Sequence, residues 1–322
     1  MPNVTARQLL VFVEAAETLS FVRVSERLGL TPSAISFQIK QVELQTGAAL
    51  FERIGRRVAL TEAGRVLLVH ARVVLQSLRD LDDAMLGLQA NGSGRVRLGL
   101  VSTAKYIVPH LIARFRLQAP GVTVLLREGN RTDTLALLLA GDVDLAIMGQ
   151  PPEAADVLAT RFADHPSVII GGPAHYLCGA KTVGVGVLAT EWFIVREDGS
   201  GTRSLSDTLF QTAGFAPRIA METSSNEMIK QAVMAGMGLA LVSQHTISLE
   251  QSLGLLKVIA VDGFPVMRSW FVVQRRTSPF LPVQSGLQNY LIKYGQSVIE
   301  EITNRYNFIS KGNGSPRLDT RI

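Results

Sequence analysis

Apolar positions fall into three zones along the chain. They are helically spaced to about Thr46, helical again in a longer run from about Glu62 to Ala90, and alternate between strand and helix patterns from Arg95 to about Phe308. In the first zone Leu9, Phe12, Val13 and Ala16 stand at i, i+3, i+4 and i+7, which predicts an amphipathic helix whose apolar face needs a partner. Ser20 can cap a second helix carrying Phe21, Val24 and Leu28 on one face, and Gly29 supplies the left-handed residue that ends it. After a very short turn, Thr31 precedes Pro32. A capping hydroxyl followed by proline at the first helical position opens a third helix, which Gly47 stops.

The two faces of that third helix differ in chemistry. Ile35, Ile39 and Val42 form a stripe that can pack on the first two helices, while Ser33, Ser36, Phe37 and Lys40 occupy the opposite face. Two helices joined by a tight turn, the second presenting short donors and a lysine, have the geometry of a helix-turn-helix whose recognition helix enters the major groove. A plain amphipathic helix would explain these residues alone. The continuation adds Leu50-Phe51-Glu52-Arg53, then Arg56-Arg57-Val58, then Leu60-Thr61-Glu62-Ala63-Gly64, a short basic hairpin leading into a capped helix start. Arg53, Arg56 and Arg57 would lie beside the recognition helix, where guanidinium groups pair with phosphate oxygens.

The second zone is a heptad ladder. Leu67, Ala71, Val74, Leu78, Leu81, Met85 and Leu88 recur with a period of 3.5, which predicts a two-stranded seam and hence a homodimer. Asn91-Gly92-Ser93-Gly94 reads as a linker. The third zone begins with Val96, Leu98 and Leu100 alternating against Arg95, Arg97 and Gly99, and a helical pattern follows from Tyr106 to Gln118. Further strands are predicted at Val122 to Leu126, Asp144 to Met148, Val168 to Ile170, Trp192 to Val195, Leu239 to Val242 and Trp270 to Val273, with helices between most of them. This alternation predicts α/β architecture with largely parallel sheets. The polar stretch after Phe308 has little to anchor it, and residues 311–322 are expected to be a disordered tail.

Composition narrows the function. Of 322 residues, 47% are hydrophobic and 18% charged, enough for a sizeable core in one or two domains. The single cysteine, Cys178, permits no internal disulfide, and one thiol with five scattered histidines makes no metal cage, so no metal and no cofactor are expected. The sequence shows no secretory h-region and no stretch of transmembrane length, which points to the cytoplasm and away from a membrane. A net charge of +5 is compatible with a polyanionic partner and decides nothing alone. His70 falls on the linker helix. His110, His165, His175 and His245 have no partner motif and read most simply as surface or capping residues, and Cys178 reads as a packing residue, so no catalytic residue is assigned and the chain is not expected to be an enzyme.

With these residues in view, the chain resembles the LysR-type transcriptional regulators. The resemblance rests on Ser20-Phe21, Thr31-Pro32-Ser33-Ala34-Ile35-Ser36, Ile39-Lys40-Gln41-Val42-Glu43, Leu50-Phe51-Glu52-Arg53 and Leu60-Thr61-Glu62-Ala63-Gly64, and it extends over the whole ordered chain. Val24-Ser25 replaces two alanines usual in the family, Pro32 a common glutamine and Phe37 a frequent arginine, so Phe37 would meet a thymine methyl or a sugar. The resemblance implies a winged helix-turn-helix over residues 1–61, a dimerising linker helix over 62–90, and a two-lobed effector domain of the periplasmic-binding-protein type over 91–310. Lobe I would span about 95–164 and 269–308, and lobe II about 165–268. It adds Ser20, Phe21, Thr31, Pro32 and Gln38 to the DNA-facing set. Double-stranded operator DNA, a small-molecule effector, RNA polymerase and further copies in a homotetramer are the implied partners.

Several strand ends carry small polar residues where helices should begin: Ser102-Thr103, Asn130 and Thr132, Gly199 to Arg203, and Thr223 to Asn226. Each alone is an N-cap. Helix N-termini from two lobes pointing into one cleft would instead make an anion site, with Arg203 or Arg131 adding charge-assisted bonds. By resemblance to the family's cleft, Ser102, Thr103, Asn130, Gln150, Gly201, Thr202, Arg203 and Asn226 are the effector-binding candidates. The runs Phe193 to Arg203, His165-Pro166 and Gly236 to Ser243 further resemble regulators of the RuBisCO (carbon dioxide fixation) operon, which implies a phosphorylated sugar or NADPH as effector. A regulator of another metabolic operon with a carboxylate effector, and a solute-binding protein, are the competing functions.

Overall fold

The computed structural model describes residues 3–55, 57–89, 94–152, 156–276 and 281–310. It divides into two compact units, the first holding residues up to Gln89. Arg56, Ala90 at the end of the expected dimerising helix, Asn91 to Ser93 of the expected linker and residues 311–322 of the expected tail lie outside the described residues. Among the described residues no helix is long and apolar enough to cross a membrane.

The first unit contains α1 (Ala6–Thr18), α2 (Phe21–Leu28), α3 (Pro32–Thr46), the hairpin strands β1 (Phe51–Ile54) and β2 (Arg57–Leu60), and α4 (Glu62–Gln89). Each helix start is set locally. Thr5 and Gln8 form a reciprocal capping box at α1, Ser20 caps α2, and the Thr31 hydroxyl accepts from the Ala34 amide at 3.2 Å ahead of Pro32. Gly29 and Gly47 close α2 and α3 in the left-handed conformation. The stripe Ile35, Ile39 and Val42 is buried against Leu9, Phe12, Val13 and Val24. The Phe51 ring meets Phe12 at 5.7 Å and Phe21 at 5.5 Å in edge-on geometry, each contact worth about 1 kcal/mol beyond burial. The hairpin is thereby pinned to the helices. Glu43 Oε1 adds a second tie by accepting from the Leu50 amide at 2.8 Å.

The heptad ladder is divided between two tasks. Leu67 and Ala71 are buried in the head's own core, whereas Val74, Leu78, Leu81 and Met85 are exposed; the Leu88 side chain lies outside the described residues. A 28-residue helix is roughly 40 Å long, more than this small head can cover, so only its first turns find internal partners. Val66, Val69 and Val73 widen the exposed apolar stripe beyond the heptad positions.

The second unit runs β3 (Gly94–Val101), α5 (Val108–Gln118), β4 (Val122–Gly129), α6 (Arg131–Ala140), β5 (Leu145–Met148), β6 (Val157–Gly171), β7 (Trp192–Arg196), α7 (Gly201–Thr212), β8 (Arg218–Thr223), α8 (Asn226–Met234), β9 (Ala240–Ser243), α9 (Ser248–Ser252), β10 (Lys257–Ile259), β11 (Val266–Arg275) and α10 (Pro282–Ser310). A seven-stranded sheet has the order β10-β6-β11-β5-β3-β4, with β9 also paired to β6, and β7 and β8 form a separate parallel pair. The expectation of largely parallel sheets therefore needs correction. β3 is parallel to β4 and β5, but β11 is antiparallel to β5 and β6, and β9 and β10 are antiparallel to β6.

The reason is the path of the chain. The long strands β6 and β11 carry it from one lobe to the other and back, and two crossings in opposite directions that lie side by side must pair antiparallel. The expected crossing points near residues 164 and 268 fall inside these strands. β8 and β10 have no counterpart in the sequence reading, because β8 is mostly exposed and β10 spans three residues. Lobe I is built on Val96, Leu98, Leu100, Leu111, Phe115 and Trp270, packed under Leu287 and Leu291 of α10. Lobe II has cores around Ile170, Ile194 and Val233 on one side and Phe193, Phe210 and Leu239 on the other.

A second correction concerns histidines. His165 and His245 are not surface residues: the His165 ring lies flat on Trp270, centroids 3.8 Å apart, and Trp270 Nε1 donates to His245 Nδ1 at 3.2 Å. A lone histidine in a sequence carries no sign of burial, which depends here on the indole brought against it by β11. Cys178 is partly buried, its Sγ donates to the Gly172 carbonyl at 3.2 Å, and burial pushes the thiol pKa up, in keeping with a packing role.

A candidate anion cleft and a candidate nucleic-acid interface

In the second unit, the ends of elements from both lobes converge on one cavity of about 20 Å³. Its wall consists of Val101, Ser102 and Thr103 at the end of β3, Asn130 and Arg131 at the start of α6, Met148, Gly149 and Gln150 at the end of β5, His165 of β6, Arg196 of β7, Ser200, Gly201 and Thr202 at the start of α7, and Arg268 of β11. Asn130 Oδ1 accepts from the Asp133 amide at 2.9 Å and Ser200 Oγ from the Thr202 amide at 3.2 Å, so both helices begin, capped, at the cavity. Their first-turn amides lend it positive potential.

The charges have one sign. Arg131, Arg196 and Arg268 line the cavity, and among the described residues no Asp or Glu does. Arg196 is compensated by Glu197, which accepts from Nε at 2.8 Å and from Nη2 at 3.0 Å. Arg268 and Arg131 pair with no carboxylate among the described residues; Arg268 Nη1 donates to the Gly201 carbonyl at 3.1 Å and Arg131 Nε to the Gln150 carbonyl at 2.8 Å. Burial and the neighbouring Arg131 lower the Arg268 pKa to about 10, and its Nε has no hydrogen-bond partner among the described residues. An incompletely bonded cation inside a protein is costly, and a bound anion removes that cost. A cavity of this volume holds about one water, so an anion of phosphate size needs the walls to part.

Six of the eight predicted effector residues line this cavity: Ser102, Thr103, Asn130, Gln150, Gly201 and Thr202. Asn226 lies behind it, donating Nδ2 to Ser102 Oγ at 3.3 Å and accepting from Arg196 Nη1 at 3.0 Å, which places it as a support joining the two lobes. Arg203 is not brought to the cavity. Its guanidinium is taken by Asp207 at 3.0 Å and Glu222 at 2.7 Å and by the Arg196 carbonyl at 2.9 Å, because the helical turn after Thr202 directs it away. Arg268, His165, Arg196 and Ser200 were not among the predicted residues. A signal for two of them exists: Arg268 has the strand parity of Trp270, and His165 that of Ala163, so each is a polar residue at an inward-facing position.

The buried imidazoles give the second unit an acid limit. Burial lowers the His245 pKa to about 4, and since Nδ1 accepts from Trp270, the neutral ring carries its proton on Nε2. The unfolded chain binds this proton near the ordinary value of 6.5 and the folded chain only near 4, so stability is complete above 6.5 and is lost as the pH falls through this window. The expected loss is about 3 kcal/mol for this group by pH 4. Thermal melts from pH 7 to pH 4 should show the decline, and His245→Gln should flatten it.

In the first unit, the face of α3 opposite its buried stripe is open. Ser33, Ser36, Phe37 and Lys40 are exposed, Phe37 at 59%, Gln38 is half-buried, and the hairpin presents exposed Arg53 and Arg57. Thr31 is the α3 cap, its hydroxyl 3.0 Å from Ser33 Oγ, and Pro32 forms the first turn. Ser20 is spent on the α2 cap and Phe21 on the contact with Phe51, so these two are built into the head rather than its open face. A large exposed aromatic among short hydroxyls and basic residues fits a groove lined by methyl groups and phosphates.

Comparison with known proteins agrees with this division. Residues 6–65 match the model of the bacterial regulatory helix-turn-helix proteins of the lysR family, and residues 89–293 that of the LysR substrate binding domain. The HTH-type transcriptional regulator CfxR of Cupriavidus necator is 40% identical over 290 residues, 90% of this chain and 92% of CfxR. The RuBisCO operon transcriptional regulator of Allochromatium vinosum is 38% identical over 90% of this chain and 96% of its own length. Among solved structures, the CcmR regulatory domain of Synechocystis PCC6803 in complex with 2-PG is 35% identical, covers 62% of this chain and 96% of that one, and superposes with a TM-score of 0.60. The relatives named here are transcriptional regulators rather than enzymes.

Proposed function

The chain belongs to the LysR family of bacterial helix-turn-helix transcriptional regulators, and from that premise we propose that it controls genes of carbon dioxide fixation, the RuBisCO operon among them, in response to a small phosphorylated anion. The observation that carries the effector class is the pair Arg268 and Arg131, cations without carboxylate partners at two capped helix starts. The Synechocystis regulatory domain that is 35% identical to this chain is described in complex with 2-PG, which favours a phosphorylated effector over a plain carboxylate. Phosphorylated sugars and NADPH belong to the same chemical class. Ser102, Thr103, Asn130, Gln150, Gly201 and Thr202 would bind it together with Arg131 and Arg268.

On the DNA side, Ser33, Ser36, Phe37, Gln38 and Lys40 would meet base edges in the major groove, with Arg53 and Arg57 on phosphates and Thr31 and Pro32 fixing the helix start. The exposed stripe of Val74, Leu78, Leu81 and Met85 is covered in this reading by the same stripe of a second copy, giving a homodimer whose paired heads suit a roughly palindromic operator. Association of dimers into a homotetramer, contact with RNA polymerase and a cytoplasmic location complete the proposal. A solute-binding protein has no use for the basic winged head.

The test is a footprint on DNA upstream of the RuBisCO genes, titrated with 2-PG, ribulose bisphosphate, NADPH and a panel of carboxylates. A footprint that shifts only with a phosphorylated compound supports the proposal; one that shifts only with a carboxylate assigns the chain to another operon, and no specific footprint discards it. Arg53→Ala should weaken binding to all sequences and lower the salt slope by about 1, whereas Ser36→Ala should change the preferred base. Equal losses on operator and random DNA for both variants would refute this division of roles.

A further inference from the structure

His165 is 1% exposed, and neither ring nitrogen has a hydrogen-bond partner among the described residues. A neutral imidazole offers one N–H and one lone pair, and leaving either unmade in the interior costs about 1–3 kcal/mol. The ring is nevertheless firmly placed. It lies flat on Trp270, stands opposite Arg268 in the β6–β11 register, and packs so closely on Gly149 that a Cβ there would come within 2.6 Å of Nδ1. The same ring forms part of the wall of the arginine-lined cavity.

We propose that His165 is an effector-contacting residue that takes up a proton as a doubly charged oxyanion binds, so that the cleft selects dianions over monoanions. This deepens the anion-cleft reading and rests on it. The charges facing the ring come from every side of the cavity. β11 supplies Arg268, α6 supplies Arg131, and β7 supplies Arg196, already compensated by Glu197. The turn Gln244–Thr246 supplies His245; α7 carries Arg203, which Asp207 and Glu222 hold outside the cavity, and among the described residues the end of β5 supplies no titratable group. Asp164, next in β6, is engaged by Arg161.

Before an anion binds, burial, Arg268 and His245 keep the His165 ring neutral, its pKa well below the ordinary value. A monoanion offsets about one guanidinium charge. The second negative charge of a dianion offsets the other guanidinium, and an oxyanion in contact with the ring then makes the imidazolium the favoured form, with both of its N–H groups donors.

Calorimetry on the full chain decides the matter, with sulfate as the probe because it stays doubly charged between about pH 6 and 8. 2-PG serves as the phosphorylated counterpart and acetate as the monoanion. Sulfate should bind roughly tenfold more weakly at about pH 8 than at about pH 6.5. Paired titrations in buffers of different ionisation enthalpy should show net proton uptake with sulfate and none with acetate. His165→Gln should abolish both the uptake and the pH dependence, while His245→Gln keeps them. The uptake is measured on the unaltered protein, so the proposal remains decidable if His165→Gln does not fold. Sulfate binding without proton uptake, or uptake retained in His165→Gln, overturns this inference and leaves the anion cleft standing; no binding of sulfate or 2-PG overturns both.

Discussion

Replacing Arg268 by methionine is expected to weaken 2-PG binding by about 100-fold or more while leaving the melting temperature of the second unit equal or higher. The two effects have opposite signs because they come from the same charge. Before a ligand binds, the mostly buried guanidinium stands beside Arg131 with no carboxylate and no partner for Nε among the described residues, so its removal relieves an unfavourable charge. In the complex it supplies charge-assisted hydrogen bonds, each worth about 1.5–3 kcal/mol, and two of them account for the loss. Arg203→Met is the matched control. That side chain is held by Asp207 and Glu222 outside the cavity, so its loss should leave 2-PG affinity within about threefold. Calorimetric titration of both variants, with melting curves, checks the pair of outcomes. Comparable affinity losses would move the anion site toward Arg203.

Gly64→Ala should cost the DNA-binding head about 3 kcal/mol or more and remove operator binding. Gly64 sits in the first turn of α4, where Thr61 Oγ1 accepts its amide at 3.0 Å and itself donates to the Ala49 carbonyl at 2.7 Å. This double tie draws α4 down onto the strand entry. A Cβ on Gly64 would lie 2.2 Å from the Leu50 carbonyl oxygen and 2.9 Å from Leu60 Cδ2. The first neighbour is backbone and cannot swing aside, so the helix must lift from the hairpin that carries Arg53 and Arg57. Circular dichroism on a fragment would confuse unfolding with truncation, so the measurement is operator binding by the full chain alongside 2-PG binding. Loss of the first with the second intact is the expected result; unchanged operator binding would mean that the hairpin does not depend on this contact.

Much of the head was legible because its determinants are local. The caps at Ser20 and Thr31, the stops at Gly29 and Gly47 and the stripe Ile35, Ile39 and Val42 each act within a few residues, and each is found where spacing and capping chemistry require it. The heptad pattern was equally plain, yet periodicity alone does not say what covers an apolar face. Leu67 and Ala71 turn inward because α1 lies beside them, while Val74, Leu78, Leu81 and Met85 face away from the head's core.

The cleft divides in the same way. Small polar residues at helix starts are recognisable from sequence, and Ser102, Thr103, Asn130 and Thr202 do line the cavity. The error with Arg203 and the omission of Arg268 have one cause: where a guanidinium ends up depends on which carboxylates the fold places beside it. Asp207 and Glu222 are brought to Arg203 by α7 and β8, whereas no described element brings one to Arg268.

Sequence by itself therefore determined the winged helix-turn-helix, the long amphipathic helix, the alternating α/β unit and the polar helix starts, since capping, periodicity and turn chemistry are written in neighbouring residues. Only the tertiary structure decided the antiparallel crossing of β6 and β11, and with it the placing of His165 opposite Arg268 and against Trp270. Strand register joins residues far apart in the chain, and burial, charge compensation and proton affinity are properties of the neighbours that such joining supplies.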